Sequence, residues 1–365
     1  MMPRKPALLV LLGTLTLRSS VIYAASGTEG AAFLDIPVGA GPAALGSAYS
    51  AMATNAYAPV WNPAGLGFLT APEVSGQHLS YLESIHYEFA SVVLPLGAKD
   101  SHGEATRALG ASVQYLGSGD IVGTDQAGAP TGDFTAHYGA YSLSYGQKLT
   151  DQLALGITGK IINAKLANVS ANAYAADLGS LYKINEKLQL AATVTNAGSN
   201  LKFTDQSDPL PLTFHVSAAY QPIAHWEFLV EGLHDRSGKT NGRFGTQWHP
   251  IEPLALRAGY RSDATSHLSA LAGFSTGIGL HLWGQEFAYA WLPYGDLGDT
   301  QYFSLLLHFG PNEAEKRNLV NYQNIRSHRS AKSLTYGDRE YEQLMMLLNL
   351  HSDTVAQTTS EATHL

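Results

Sequence analysis

The sequence predicts an all-β protein: a transmembrane antiparallel β-barrel of about 14 strands, with an N-terminal hatch and a short, partly helical C-terminal tail. Three observations predict it. Nowhere does the chain hold the 18 or more consecutive apolar residues of a spanning helix. It is nonetheless 45% hydrophobic and only 14% charged, where soluble domains carry roughly 25% charge. From residue 73 to residue 309, apolar and polar residues alternate with period 2 in one run after another. A membrane protein without apolar helices must satisfy its backbone in a closed barrel.

The chain opens on an export signal. Arg4 and Lys5 are basic, Ala7 to Leu17 is an apolar run, and Ile22-Tyr23-Ala24-Ala25-Ser26 is a small, polar end. This three-part layout predicts a signal peptide over residues 1–25, cleaved after Ala24 or Ala25. The run is short for an uncleaved membrane anchor, the alternative. Cysteine is absent from all 365 residues, which excludes disulfides, thiolate metal sites, cysteine nucleophiles and lipoprotein attachment. The net charge of −8 and the lack of a basic block argue against nucleic acid as a partner.

Residues 26–72 do not alternate. Phe33 to Gly46 is rich in glycine and alanine with proline punctuation, and Asn62-Pro63 marks a turn. Small residues let short helices pack closely, so the segment is expected to be a plug in the periplasmic mouth.

The barrel is expected over residues 73–310. Leu153, Leu155, Ile157, Gly159 and Ile161 share one face, with Thr158 and Lys160 opposite; Phe214, Val216 and Tyr220 oppose Thr213, His215 and Ser217. Trp226, Phe228 and Val230 oppose Glu227 and Glu231, and Leu254, Leu256 and Tyr260 oppose Arg257 and Arg261. Two features favour a membrane barrel over a soluble sandwich. Aromatic residues (Tyr220, Trp226, Trp248, Tyr260, Trp291 and Phe309) sit at the ends of apolar faces, where interfacial girdles belong. Loops expected outside are long, near 118–134, 198–211 and 292–300; inner turns are short, near 148–152, 184–186, 222–224, 249–252 and 276–278. The connection near 96–105 is longer than that rule allows. The strands around the last inner turn are expected at 267–275 and 279–291.

Phe33 to Gly46, followed by Trp61-Asn62-Pro63-Ala64-Gly65-Leu66, resembles the N-terminal segment of the PorV/PorQ family, a branch of FadL-like outer-membrane proteins. Asp177-Leu178-Gly179 and Asp208-Pro209-Leu210-Pro211 resemble the same family, and the likeness covers roughly residues 30–310. The resemblance implies a 14-stranded barrel with an internal hatch, whose motif residues here are Trp61, Asn62, Pro63, Ala64 and Gly65. It implies two possible roles. FadL passes long-chain fatty acids; PorV binds secreted cargo proteins in type IX secretion. Localisation in the cell outer membrane follows, with lipid and the barrel-assembly machinery as partners.

The tail, residues 311–365, is polar. Helical spacing appears near 312–324 and at Tyr341, Leu344, Met345 and Leu348, and residues 351–365 have a disordered composition. A periplasmic location is expected, either as a solvated appendage or as a docking helix.

Chemistry is sparse. Gly273-Phe274-Ser275-Thr276-Gly277 matches a nucleophile-elbow pattern, but it is expected to end a strand and enter a turn, without the helix such an elbow needs. The 14 histidines are scattered, and no HExxH or EF-hand loop occurs. Residues 117–133 are acidic and glycine-rich, either a weak calcium loop or an exposed outer loop. No catalytic group, metal or cofactor is expected, and the protein is not expected to be an enzyme. His215, Glu227, Glu231, Arg243, Arg257 and Arg261 point inward by alternation, on strands about 4.8 Å apart. They form either a wall-stiffening ion-pair network or a ligand site in which an arginine holds a carboxylate headgroup. The function expected is passage of hydrophobic or amphipathic small molecules across the outer membrane; the alternative is reception of secreted or surface-anchored protein cargo.

Overall fold

The structure, a computed structural model, describes residues 29–80, 85–99, 104–263, 271–294 and 298–310. The expected signal peptide and tail lie outside the described residues. The strands are β1 Glu73–Ser80, β2 His86–Lys99, β3 Ala105–Gly117, β4 Ile121–Thr124, β5 Pro130–Phe134, β6 Ala136–Lys148, β7 Leu153–Leu166, β8 Val169–Asn185, β9 Leu188–Gly198, β10 Leu201–Phe203, β11 Gln206–Asp208, β12 Thr213–Ile223, β13 Trp226–Asp235, β14 Thr240–Ile251, β15 Leu254–Arg261, β16 Phe274–Leu282, β17 Gln285–Pro293 and β18 Asp299–His308. Fourteen of them form one closed antiparallel barrel. The hairpins β4–β5 and β10–β11 are separate two-stranded sheets within connections. Closure comes from β18 pairing with β1, Glu73 opposite His308 and Ser80 opposite Gln301. A closed wall leaves no unpaired edge, the condition for strands in hydrocarbon.

Period-2 alternation gives the wall two unlike faces. Leu155, Ile157 and Ile161 of β7 face outward while Thr158 and Lys160 are buried inside. The outward apolar residues are bare: Val216 is 69% exposed, Leu143 65% and Tyr174 63%. A belt of this kind would be costly in water and is what lipid-facing strands require. Trp226 and Trp248 pair across β13 and β14 with ring centroids 5.5 Å apart, and Tyr260 meets Phe274 at 5.0 Å, so aromatics gather near both ends of the apolar belt. The inward face carries small and polar residues, among them Ser112, Gln114, Ser144, Ser217 and Gln247, all buried.

Connections sort by end. At one end run the long ones, 118–135, 199–212 and 262–273; at the other are short turns such as 186–187, 224–225 and 252–253. Near 96–105 the expected long connection is mostly strand, because β2 extends to Lys99 and β3 starts at Ala105. Two expectations fail. The connection expected to be long near 292–300 shrinks to 294–298, because β17 extends to Pro293 and β18 starts at Asp299. The turn placed at 276–278, between strands 267–275 and 279–291, lies instead at Trp283-Gly284, both with positive φ, between β16 and β17. Gly277 and Gly279 looked like turn residues but are wall residues. A Cβ at Gly277 would stand 2.5 Å from Ala44 Cβ, and one at Gly279 2.8 Å from Arg257 Nη1.

The N-terminal segment lies inside the barrel. It contains a 3-10 turn at Ala32–Asp35, α1 Ala40–Ala44, α2 Ala58–Trp61 and a second 3-10 turn at Pro63–Phe68. It reaches further than the mouth. Gly30 N–H donates to Pro209 O (2.9 Å) at the long-loop end, and a Cβ on Gly67 would meet Lys148 and Ala154 near the short-turn end. The hydrophobic core is therefore the contact between segment and wall: Leu45, Tyr49, Tyr57 and Trp61 packed with Leu79, Tyr87, Phe89 and Leu229.

Candidate functional site

Two regions of the lumen differ in how the segment meets the wall. Toward the short-turn end the fit is close and built on glycine. A Cβ at Gly156 would fall 2.2 Å from the Pro63 carbonyl carbon and one at Gly179 2.1 Å from Asn62 Oδ1; nearer the long-loop end, one at Gly259 would fall 1.9 Å from Gly46 N. Asn62 locks this contact. Its Oδ1 accepts from Ala64 N–H (3.1 Å), capping the second 3-10 turn, and its Nδ2 donates to Ser50 O (3.0 Å) and Ser180 O (3.2 Å). The structure thus brings Asn62-Pro63 against Asp177-Leu178-Gly179, two motifs more than a hundred residues apart in sequence.

Toward the long-loop end the fit opens into a cavity of about 280 Å³. One side is the segment: Glu29, Leu34, Asp35, Ile36, Val38 and Trp61. The wall supplies Lys160 from β7, His215 from β12, Arg243 from β14, Arg261 from β15 and Asp263 just beyond it. Trp61 is held by its indole N–H, which donates to Val38 O (2.9 Å), and by edge packing on Tyr49.

The six inward residues expected from alternation divide between these regions. His215, Arg243 and Arg261 line the cavity, and Glu231 lies behind them, fully buried. Glu231 Oε1 is 2.9 Å from His215 Nδ1 and 3.8 Å from Arg243 Nη1, while its Oε2 accepts from Ser50 N–H (3.1 Å). Asp263 bridges Arg261 at 2.7 Å and Arg243 at 3.4 Å. Burial works to raise the Asp263 carboxyl, but the bonds and charge of Arg261, aided by Arg243, hold it well below the usual carboxylate range. Glu227 and Arg257 do not line the cavity. They belong to a deeper network in which Gln247 Nε2 donates to Glu227 (2.8 Å), Arg257 donates to Gln247, and Arg257 pairs with Glu286 at 2.6 Å. The arginines weighed as holders of a carboxylate headgroup already have carboxylate partners.

Sequence patterning missed several of these groups. Asp263 falls two residues after Arg261, hence on its face, but past the strand end. Lys160 faces Asp177 at 2.6 Å across β7 and β8, beside a register shift at Asp177 where Asn196, with φ of 59°, donates its N–H to Asp177 Oδ1 (2.7 Å). Glu29 and Asp35 gave one signal: they are the only charged residues between 29 and 72.

Ser275 opens β16 rather than ending a strand, and its hydroxyl is occupied. It donates to Ala44 O (3.0 Å) and accepts from Gly46 N–H (3.1 Å), which ties the segment to the wall. In the 117–133 stretch, Asp125 Oδ1 accepts from Ala127 and Ala129 N–H at the tip of the β4–β5 hairpin. No cluster among the described residues has the ligands to hold a metal ion.

Solved structures share this architecture. A crystal structure of the Pseudomonas putida toluene transporter TodX matches with a TM-score of 0.51 at 13% identity, covering 74% of this chain and 96% of that one. A second structure of the P. putida toluene transporter TodX matches with a TM-score of 0.53 at 12% identity, over 75% and 99% of the two chains. The chain shares with these structures a closed, 14-stranded antiparallel barrel fold. At such identities what is shared is the fold. A TodX deletion mutant, described as a monoaromatic hydrocarbon channel, also matches, with a TM-score of 0.50 at 12% identity over 74% and 96% of the two chains. No family model matches the chain, and no curated protein does.

Proposed function

We propose that the protein is an outer-membrane passage for small hydrophobic or amphipathic molecules, with the N-terminal segment as its hatch. The observation that carries this is the uneven lumen: a cavity open to a mixed apolar and polar lining at the long-loop end, and a segment seated on wall glycines toward the other. With the long loops outside, as in membrane barrels generally, a molecule enters the cavity first and crosses only when the segment shifts. The named activities of the TodX structures support passage; reception of secreted cargo, the alternative role, draws no support from them. Trp61, Asn62, Pro63, Ala64 and Gly65 act in this reading as the hatch's seat, and His215, Arg243 and Arg261 as walls of the entry site, with Glu231 holding His215 and Arg243 from behind.

The test is uptake. Gram-negative cells lacking their own FadL-like channels should take up radiolabelled ethylbenzene faster when this chain is in the outer membrane. Equal uptake with and without the chain, at verified expression, would overturn the proposal.

A further inference from the structure

The cavity's charges are unevenly satisfied. Every cation lining it has a carboxylate partner: Lys160 has Asp177, Arg243 has Glu231 and Asp263, and Arg261 has Asp263. An anionic ligand would have to break one of these pairs. Two lining carboxylates have no ion pair or hydrogen bond among the described residues, Glu29 and Asp35, and Glu29 Oε1 is buried without a partner. Both belong to the segment, which carries no other charge between residues 29 and 72. Beside them, on the same segment, the cavity offers Leu34, Ile36, Val38 and the Trp61 ring. Unpaired carboxylates beside an apolar and aromatic surface are what an organic ammonium needs: charge-assisted hydrogen bonds for its head, burial for its body and a π face nearby.

We infer that the cavity selects small organic amines, protonated at one end and apolar at the other, over hydrocarbons and carboxylates of the same size. At about 280 Å³ it lies near the lower end of ligand pockets, which run from about 300 Å³ upward, so the body is a single ring or short chain. Binding would join the outer part of the segment to the ligand. This inference rests on reading the lumen as a passage and names the class of molecule it accepts.

Full-length protein in lipid nanodiscs is titrated by calorimetry with 2-phenylethylamine, 3-phenylpropionate and ethylbenzene, with empty nanodiscs subtracted. The amine should bind about tenfold or more tighter than the other two. The double variant Glu29→Gln, Asp35→Asn should remove that preference; each substitution is nearly isosteric and keeps the segment's packing. Equal affinity for the three probes, or an amine preference that survives the double variant, would overturn the inference. Uptake separates the two claims. Entry of ethylbenzene without an amine preference sinks the amine site and leaves the passage. Amine binding without entry of any probe keeps the site and sinks the passage.

Discussion

The two halves of the lumen use the same chain segment in opposite ways. Toward the short-turn end, residues 62–67 lie on Gly146, Gly156 and Gly179 of the wall, so close that a single methyl group there would collide with the segment. Toward the long-loop end, residues from 29–38, together with Ser47, Ser50 and Trp61, line a cavity whose far side is arginines and acids of the wall. Shape closes one half and charge furnishes the other. The difference teaches how a barrier and a binding site could coexist in one barrel: in the proposed passage the barrier is steric and built from glycine, and the site is electrostatic.

The largest effect is expected from breaking the steric half. Gly156→Val puts a branched side chain where even a Cβ would lie 2.2 Å from Pro63, whereas a Cβ at Gly159, three residues along the same strand on its outward face, meets nothing within 4 Å. Overpacking costs about 1–3 kcal/mol, so Gly156→Val should unseat the segment and raise conductance in planar bilayers, and Gly159→Val should behave as wild type. Equal conductance in both variants would mean the glycine seat is not the barrier. Next comes Glu231→Leu. It leaves Arg243 with one carboxylate and His215 with none, and breaking a buried ion pair costs about 3–5 kcal/mol in favourable cases. Because Asp263 still holds Arg243, a loss near the lower figure is expected, read as faster amide exchange at Ser50 and its neighbours. A smaller effect should follow Asn62→Ala, which removes a cap worth about 1 kcal/mol and two further bonds, and should speed proteolysis of the segment without opening the wall.

The smallest effect sharpens the electrostatic half. Asp35 opens onto the cavity, yet the wall encloses it, and this burial pushes its carboxyl up to about 7 against the pull of Arg243, with Arg261 also lowering it and Glu29 and Asp263 raising it. Its folded value thus exceeds its unfolded one. The stabilisation from keeping it protonated is fully present at acid pH and is lost as pH rises through about 7. Exchange at residues 32–38, corrected for intrinsic rates, should therefore quicken between pH 6 and pH 8 by more than the neighbouring wall does, and Asp35→Asn should abolish that excess.

Much of the barrel was legible because lipid imposes a strict rule on every strand. Leu155, Ile157 and Ile161 must face out, and their alternation with Thr158 and Lys160 is plain in the letters. Glycine was ambiguous. Gly277 and Gly279 resemble turn residues, and only the nearness of Ala44 and Arg257 shows that they make room for the segment and for a wall arginine. Alternation likewise showed that His215, Glu231, Arg243 and Arg261 point inward, but not that Glu227 and Arg257 lie in a different network. Asp35 and Glu29 escaped attention because they lie outside any periodic element. Their importance comes from what faces them across the lumen, which strand pattern alone does not reveal.

The account turns on movement of the segment, and a tether tests that most directly. A Cβ at Gly30 would lie 3.3 Å from Asp208 Cβ, near the separation of about 3.8 Å usual in disulfides, and the native chain has no cysteine to compete. In cells carrying Gly30→Cys with Asp208→Cys, ethylbenzene uptake should fall to the level of cells without the protein and recover on reduction. Uptake that stays at the wild-type rate with the disulfide formed would show that molecules cross without the segment moving, and would contradict the account.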